Sequence, residues 1–246
     1  MTTSDATAAA DIAAGAGELL LAIRSRGGAP AAMKEAGDAG AQRYIAGRLA
    51  REFAGDAVLS EEAADDSDRL TNRRVWIVDP LDGTREFSEP PRDDWAVHVA
   101  LVQDGALVAG AVALPGMGVT LSSDGPFPST VVVGSRPRIL VSRTRPTEHA
   151  LMLAEVMGGE LIPLGSAGAK AMAVVRGAAD VYVHSGGQWE WDSAAPVAVA
   201  AAAGLHVSRL DGSPIRYNQP NPWLPDVLIC RPELAQRVIE TCRAAA

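Results

Sequence analysis

The chain has 246 residues, 48% of them hydrophobic and 21% charged, which is typical of a globular protein with one large or two modest domains. Its net charge of −8 argues against a nucleic-acid duplex or an anionic membrane as partner. The two cysteines, Cys230 and Cys242, lack a metal-binding spacing and no signal peptide is apparent, so we expect free thiols in the cytoplasm.

The first 125 residues show helices followed by antiparallel strands. Apolar residues at helical spacing predict two amphipathic helices, and Asp38, at the predicted start of the second, is by itself an ordinary N-cap. The segment Gln103 to Ala106 predicts a hairpin turn between two strands. The predicted helices span about 4–26 and 38–53, and the predicted strands span 57–60, 75–78, 95–102, 107–114 and 119–121.

The pattern changes after the segment Ser122 to Ser129, which is rich in Pro, Gly and Ser. Strands then alternate with helices, which predicts an α/β layer. The predicted strands span 139–141, 161–164, 181–183 and 227–230, and the predicted helices span 146–156, 167–175, 194–203 and 232–243. We therefore predict two abutting halves of one unit, residues 1–125 and 126–246.

Two carboxylates follow the strand 75–78 within one turn. Asp79 and Asp82 lie three residues apart, in a turn that Pro80 and Gly83 stiffen, and carboxylates this close repel each other unless a cation lies between them. Mg²⁺ is commonly bound by a few carboxylates together with phosphate oxygens of a substrate. The backbone N–H groups of Gly83 and Thr84 can receive an anion if a helix begins there. Either dipeptide alone is more often a plain surface turn.

Other acidic and glycine-rich segments are ambiguous when taken singly. Glu61 and Glu62 after a strand are usually solvated, and we assign no role to the acidic residues at 65, 66 and 68. Asp192 before an alanine-rich helix is more often a cap than a ligand. The turn 165–170 is a weak anion-site signal. The four histidines, at 98, 149, 184 and 206, are interpreted as structural or surface residues.

Three motifs together are more specific. Glu61-Glu62, then Asp79-Pro80-Leu81-Asp82-Gly83-Thr84, then Trp191-Asp192-Ser193-Ala194-Ala195 resemble, in order and spacing, the signatures of the lithium-sensitive, magnesium-dependent inositol-monophosphatase family. The continuation to Phe87, together with Arg74-Val75-Trp76, resembles in particular the bacterial CysQ-type 3'(2'),5'-bisphosphate nucleotidases, which remove a phosphate from 3'-phosphoadenosine 5'-phosphate (PAP). The resemblance implies an αβαβα layered sandwich, with an antiparallel sheet in the N-terminal half and a mixed α/β C-terminal half.

The resemblance also implies a role for each motif residue. The metal ligands would be Glu61, Asp79, the Leu81 carbonyl, Asp82 and Asp192, with Glu62 near a third ion, so that two to three Mg²⁺ ions bind and Li⁺ inhibits. Thr84 and Asp38 would orient the attacking water, and the N–H groups of Gly83 and Thr84 would cradle the phosphate. Two metal ions about 3.5–4 Å apart can neutralise a phosphate ester and activate water without a histidine.

Residues outside the three motifs bear on the substrate preference. The inositol-specific branch has a glutamate where this chain has Ser185, which argues against inositol as the preferred substrate. Lys170, after the pair Gly165-Ser166, matches the lysine of the nucleotidase branch with one extra residue of spacing, and would bind a second phosphate as a point charge. Ser142-Arg143 resembles a strand-end pair, where Arg143 either reaches the substrate or lies at the surface. Trp189 either lines a base pocket or belongs to the core.

The leading hypothesis is hydrolysis of PAP to AMP and phosphate. The alternatives are a broad-specificity phosphatase acting on inositol monophosphate or fructose 1,6-bisphosphate, and a non-catalytic metal- or nucleotide-binding homologue. The resemblance favours a homodimer, and we expect neither nucleic-acid nor membrane partners.

Overall fold

The computed structural model describes residues 4–127 and 134–244, which form ten strands and seven helices. Positions 128 and 129 of the predicted boundary segment lie outside the described residues. The helices are α1 (Asp5–Ser25), α2 (Pro30–Glu52), α3 (Thr84–Phe87), α4 (Glu148–Met157), α5 (Ala167–Val175), α6 (Glu190–Ala202) and α7 (Pro232–Arg243). The strands are β1 (Ala57–Ser60), β2 (Arg74–Asp82), β3 (Ala96–Gln103), β4 (Ala106–Leu114), β5 (Val119–Ser122), β6 (Arg138–Ser142), β7 (Glu160–Leu164), β8 (Val181–Trp189), β9 (His206–Ser208) and β10 (Trp223–Cys230).

The strands form two five-stranded sheets. The first has the order β1-β2-β3-β4-β5 and is antiparallel except that β1 runs parallel to β2. The second has the order β7-β6-β8-β10-β9, with parallel pairs around β6 and antiparallel pairs around β10. The predicted mixed character of the C-terminal sheet is confirmed, and β1 is the exception to the antiparallel first sheet.

Three buried apolar clusters show how the layers stack. One joins α1 and α2 to the first sheet, a second lies between the two sheets around α5 and α6, and a third joins the second sheet to α4 and α7. The order α-β-α-β-α confirms the predicted layered sandwich. The middle cluster contains residues of both predicted halves, and the division at residue 125 stays a prediction.

Helix α1 is long and apolar enough, by length and composition, to cross a membrane. Its buried residues Ala9, Ile12, Ala16 and Leu20 belong to the outer apolar cluster with α2 and the first sheet. This packing explains why α1 is so hydrophobic, since it is a helix of the protein core.

Two helix starts differ from their predictions. Helix α2 begins at Pro30, after the extended residue Ala29, because proline fits the first turn of a helix, where its missing N–H is not needed. Asp38 is therefore an interior residue of α2 and not its N-cap. Helix α6 begins at Glu190, which places Asp192 in its first turn, where its carboxylate accepts a 2.6 Å hydrogen bond from the Trp189 N–H. Strand β9 and the short helix α3 were not predicted from the sequence.

Candidate active site

Two carboxylates lie together in the last four residues of β2, so the predicted turn is an irregular strand end that leads into α3. Residues three apart on a regular strand point to opposite faces, but the pairing of β2 with β3 shifts register between Asp79 and Asp82. As a result, ligand atoms of both carboxylates lie within 4.8 Å of each other and of His98. The turn is held by the Leu81 N–H donating to Asp79 Oδ1 at 3.0 Å and by Thr84 Oγ1 donating to the Leu81 carbonyl at 3.1 Å.

Asp82 is buried, and hydrogen-bond donors contact its carboxylate. Its Oδ2 accepts hydrogen bonds from Ser166 Oγ at 2.5 Å and from the Gly168 N–H at 2.7 Å. Burial opposes ionisation, but the contacts with His98, Ser166 and Gly168 outweigh it and lower the pKa of Asp82. The carboxylate is therefore anionic. Ser166, predicted to bind substrate, contacts this predicted metal ligand and also lines the neighbouring cavities.

His98 lies inside this cluster although we interpreted it as structural. It is fully buried on β3, directly across from Asp79, and its Nδ1 lies 3.0 Å from the Trp191 carbonyl, which makes Nδ1 the protonated nitrogen. Its Nε2 lies 3.2 Å from Asp82 Oδ2 without hydrogen-bond geometry. A Cβ on Gly168 would overlap the His98 ring, so glycine permits this close approach. The signal available in the sequence was a lone polar side chain in an otherwise apolar central strand.

Three further carboxyl groups resist ionisation. Glu61, which follows β1, has an exposed side chain and lies beside the buried Asp79. Burial and the charges of Glu61 and Asp82 raise the pKa of Asp79, and partial desolvation beside the cluster raises the pKa of Glu61. Burial and the charge of Asp82 raise the pKa of Asp192 to about 7. Carboxylates and a backbone carbonyl are the oxygen donors that hard divalent cations prefer, and a cation would offset the repulsion between these carboxylates, so the residues fit such an ion.

Asp38 reaches the same turn from the interior of α2. Its carboxyl group lies beside the Thr84 hydroxyl, while burial and the negative charge of Glu62 raise its pKa to about 6. Thr84 Oγ1 also lies 3.1 Å from the Leu81 carbonyl, and its single proton serves one acceptor at a time. Asp38 and Thr84 are thus brought together as predicted, next to the acidic cluster.

The predicted substrate-binding residues line a neighbouring cavity of about 280 Å³ that also contains Gly83 and Thr84. Lys170 is buried, and its Nζ donates to the carbonyls of Gly165 at 2.8 Å and Ser166 at 2.6 Å. Burial lowers the pKa of this ammonium group. Lys170 therefore orders the Gly-rich turn.

The other two predicted residues on this side are also engaged. The Arg143 guanidinium pairs with Glu86 at 2.6 Å and with Glu89 at 2.7 Å. Ser142 Oγ accepts from the Arg145 N–H at 3.3 Å. Both line the cavity, and Arg143 is an ion-paired residue at its wall.

Several supporting residues were missed from the sequence. Asp94, which is 2% exposed, pairs with Arg92 and accepts a 2.6 Å hydrogen bond from the Gly165 N–H, so it anchors the Gly-rich turn. Asp65, to which we assigned no role, forms a 2.6 Å ion pair with the buried Arg69. The sequence around both aspartates is typical of a surface and gave no sign of these contacts. Arg69 and Arg92 are close to their partners along the chain, and only the bond from Gly165 to Asp94 joins distant segments.

Of the remaining histidines, His184 lines a cavity together with Asp82 and Asp192, and the other two bond elsewhere. His149 Nδ1 is 3.0 Å from Ser185 Oγ, and this pair lines a separate cavity of about 330 Å³. His184 Nε2 bonds to the Gly187 carbonyl and His206 Nε2 to Ser208 Oγ, each at 2.9 Å. Their interpretation as structural residues agrees with these contacts. Trp189 is 40% exposed and does not belong to the core.

Residues 3–245 match the family model described as the inositol monophosphatase family. The chain is 51% identical to a 3'-phosphoadenosine 5'-phosphate phosphatase of Mycobacterium leprae, over 98% of this chain and 94% of that protein. It is 33% identical to the 3'(2'),5'-bisphosphate nucleotidase CysQ of Escherichia coli, over 62% of this chain and 65% of that protein.

Solved structures show the same fold. Inositol monophosphatase II of Staphylococcus aureus superposes with a TM-score of 0.79 at 20% identity, covering 94% of this chain and 92% of that chain. CysQ of Bacteroides thetaiotaomicron superposes with a TM-score of 0.73 at 28% identity, covering 92% and 97% of the two chains. With the match of nearly the whole sequence to one family model, this chain belongs to the inositol monophosphatase family.

Proposed function

We propose that this protein is a Mg²⁺-dependent phosphomonoesterase that hydrolyses PAP to AMP and phosphate. The observation that carries the proposal is the acidic cluster at the end of β2. Ligand atoms of Asp79 and Asp82 lie within 4.8 Å of each other, and burial and the charges of neighbouring carboxylates raise the pKa values of Asp38, Glu61 and Asp192 from three other segments. The 51% identity to a relative named as a PAP phosphatase supports the choice of substrate.

The metal-binding residues in this proposal are those with oxygen donors at the turn. The family is metal-dependent, and two to three Mg²⁺ ions would be held by Glu61, Asp79, the Leu81 carbonyl, Asp82 and Asp192, with Glu62 near the outermost ion. When bound, these ions supply positive charge to the phosphate oxygens and increase the acidity of a water molecule. Ser166 and the Gly168 N–H hold the Asp82 carboxylate in one orientation.

Asp38 and Thr84 position and deprotonate water in this proposal. The pKa of Asp38, raised to about 6, leaves the carboxylate ionised at neutral pH but basic enough to accept a proton that Thr84 passes to it. Thr84 can relay the proton because its hydroxyl both donates and accepts.

The phosphate group binds at the start of α3. Gly83, the N-cap of α3, has φ of +83°, a left-handed conformation that suits glycine. The cavity beyond it, lined by Ser142, Arg143 and Lys170, receives the second phosphate of PAP. Arg145, on the same wall, has no acidic partner among residues 4–127 and 134–244 and adds positive charge there.

A phosphate-release assay tests this function. The purified protein with Mg²⁺ is compared on PAP, inositol 1-phosphate and fructose 1,6-bisphosphate, with a chelator control. We expect the highest kcat/KM on PAP, no turnover with chelator, and inhibition by millimolar Li⁺. Equal or better turnover of either sugar phosphate would favour the broad-specificity alternative, and absence of turnover on all three would favour a non-catalytic homologue.

The cytoplasm is the compartment we propose. Cys230 and Cys242 are both buried free thiols, and burial raises the pKa of each, so neither is readily oxidised. A homodimer stays a prediction, which sedimentation would test.

A further inference from the structure

Two tryptophans are exposed beside the candidate active site. Trp189 at the end of β8 and Trp223 at the start of β10 are cross-strand partners, and their relative exposures are 40% and 43%. Their ring centroids lie 5.1 Å apart at an interplanar angle of 79°, and Trp189 stacks on Trp191 at 5.2 Å and 13°. Exposed indole rings forgo the stabilisation that burial would give, so a pair of them indicates a binding surface.

These rings share a cavity with the acidic cluster. Trp189, Trp223, Asp82 and Asp192 all line one cavity of about 300 Å³. This cavity and the one lined by Arg143 have Ser142, Ser166 and Lys170 in common. A molecule whose phosphate lies at Asp82 can therefore extend toward the indole rings on one side and the guanidinium groups on the other.

The backbone holds Trp223 in place. Gly187 has φ of +95°, and a Cβ at this position would overlap the Trp223 ring, so only glycine lets the indole lie against the chain. The Gly187 carbonyl in turn accepts a 2.9 Å contact from His184 Nε2. The orientation of the rings is fixed before any ligand arrives, which reduces the entropy lost on binding.

A buried amide completes the surface. Gln188 lies between Gly187 and Trp189, lines the same cavity and is only 6% exposed. Its amide nitrogen has no hydrogen-bond partner within the part of the chain that the structure describes. A carboxamide presents a donor beside an acceptor, the pattern that pairs with the amino group and ring nitrogen of adenine.

We infer that Trp189, Trp223 and Gln188 form a base-recognition subsite, with the base stacked on the indole rings and the adenine edge read by the Gln188 amide. This inference rests on the proposed function, because it takes the nucleotide phosphate to lie at the acidic cluster. A sugar phosphate without a base gains nothing from these three residues. The subsite therefore determines the preference for nucleotides over inositol and fructose phosphates.

Substitution of the tryptophans tests the stacking. We compare the wild-type protein with Trp189→Leu, Trp223→Leu and Trp189→Phe, and measure the ratio of kcat/KM on PAP to kcat/KM on inositol 1-phosphate. Base–aromatic stacking predicts a fall of about tenfold in this ratio for each leucine variant and a smaller fall for phenylalanine, which retains an aromatic face. An unchanged ratio in both leucine variants would overturn the inference.

Gln188→Met tests the reading of the base edge, since methionine is close to glutamine in shape but carries no amide. The substrates are PAP and its hypoxanthine analogue, in which a carbonyl replaces the adenine amino group. The wild-type protein should prefer PAP, and the variant should lose most of that preference. A preference retained in a folded variant would remove Gln188 from the subsite, and the tryptophan variants report on stacking even if this one does not fold.

A binding measurement separates this inference from the proposed function. AMP, which is the product of the proposed reaction, is titrated into the protein in the presence of Mg²⁺ while tryptophan fluorescence is recorded. Quenching that saturates in the wild-type protein and weakens about tenfold in Trp189→Leu supports the base subsite, even if PAP is not hydrolysed. PAP turnover without AMP quenching would leave the function intact and refute the subsite. A change in sedimentation of the leucine variants would instead identify the tryptophans as a subunit contact and also refute it.

Discussion

Replacing Asp192 with Asn should stabilise the metal-free protein at alkaline pH while removing its response to metal. Burial and the charge of Asp82 raise the pKa of Asp192 from its ordinary 3.8 to about 7. The folded state therefore holds this proton more tightly than the unfolded state, and folding stability falls as pH rises from 3.8 to about 7. Above about pH 7, where the whole effect is present, ionising Asp192 in the folded state lowers the free energy of unfolding by about 4 kcal/mol.

Asparagine retains the side-chain oxygen that accepts the Trp189 N–H, so the change removes charge and little else. We measure the free energy of unfolding by urea titration in the presence of chelator. Between about pH 5 and about pH 8 this free energy should fall by about 3 kcal/mol more for the wild-type protein than for Asp192→Asn. At the higher pH the variant should be the more stable protein. Addition of Mg²⁺ should raise the Tm of the wild-type protein and have a much smaller effect on the variant.

Asp180→Asn is the matched control. Asp180 is fully buried, but its ion pair with Arg138 at 2.8 Å outweighs burial and lowers its pKa. A lowered pKa contributes stability that is present above the unfolded pKa and lost as pH falls, so this variant should be less stable at about pH 8. If Asp192→Asn were destabilising there, or had the same pH dependence as the wild-type protein, the electrostatic reasoning would be wrong.

Two other substitutions probe the cluster. Asp82→Asn should leave the circular dichroism spectrum unchanged and abolish metal-dependent turnover, because it removes a ligand charge without changing shape; an active variant would exclude Asp82 as a ligand. Gly168→Ala places a methyl group against the His98 ring and should cost about 1–3 kcal/mol of stability, with reduced turnover. Gly55→Ala, where nothing lies within 4 Å of the added methyl, is its control, and equal urea midpoints for the two would refute the packing argument.

The local pattern of residues was enough to predict most elements and the acidic motifs. Helix α5 and helix α7 agree with their predicted bounds, because their apolar spacing and terminal residues are local signals. The motif at Asp79 and Asp82 was recognisable because a metal site at a strand end needs particular residues at short spacing. Asp38 and Asp192, ambiguous by themselves, acquired a predicted role only through resemblance to a family.

Only the tertiary structure decided which side chains surround those motifs. His98 reaches Asp82 through strand pairing, Lys170 turns its ammonium group onto backbone carbonyls, and Arg143 is held by Glu86. The exposure of Trp189 beside Trp223 likewise depends on the pairing of β8 with β10, strands far apart in sequence. Contacts between distant segments depend on how whole layers pack, and no local pattern of residues encodes that packing.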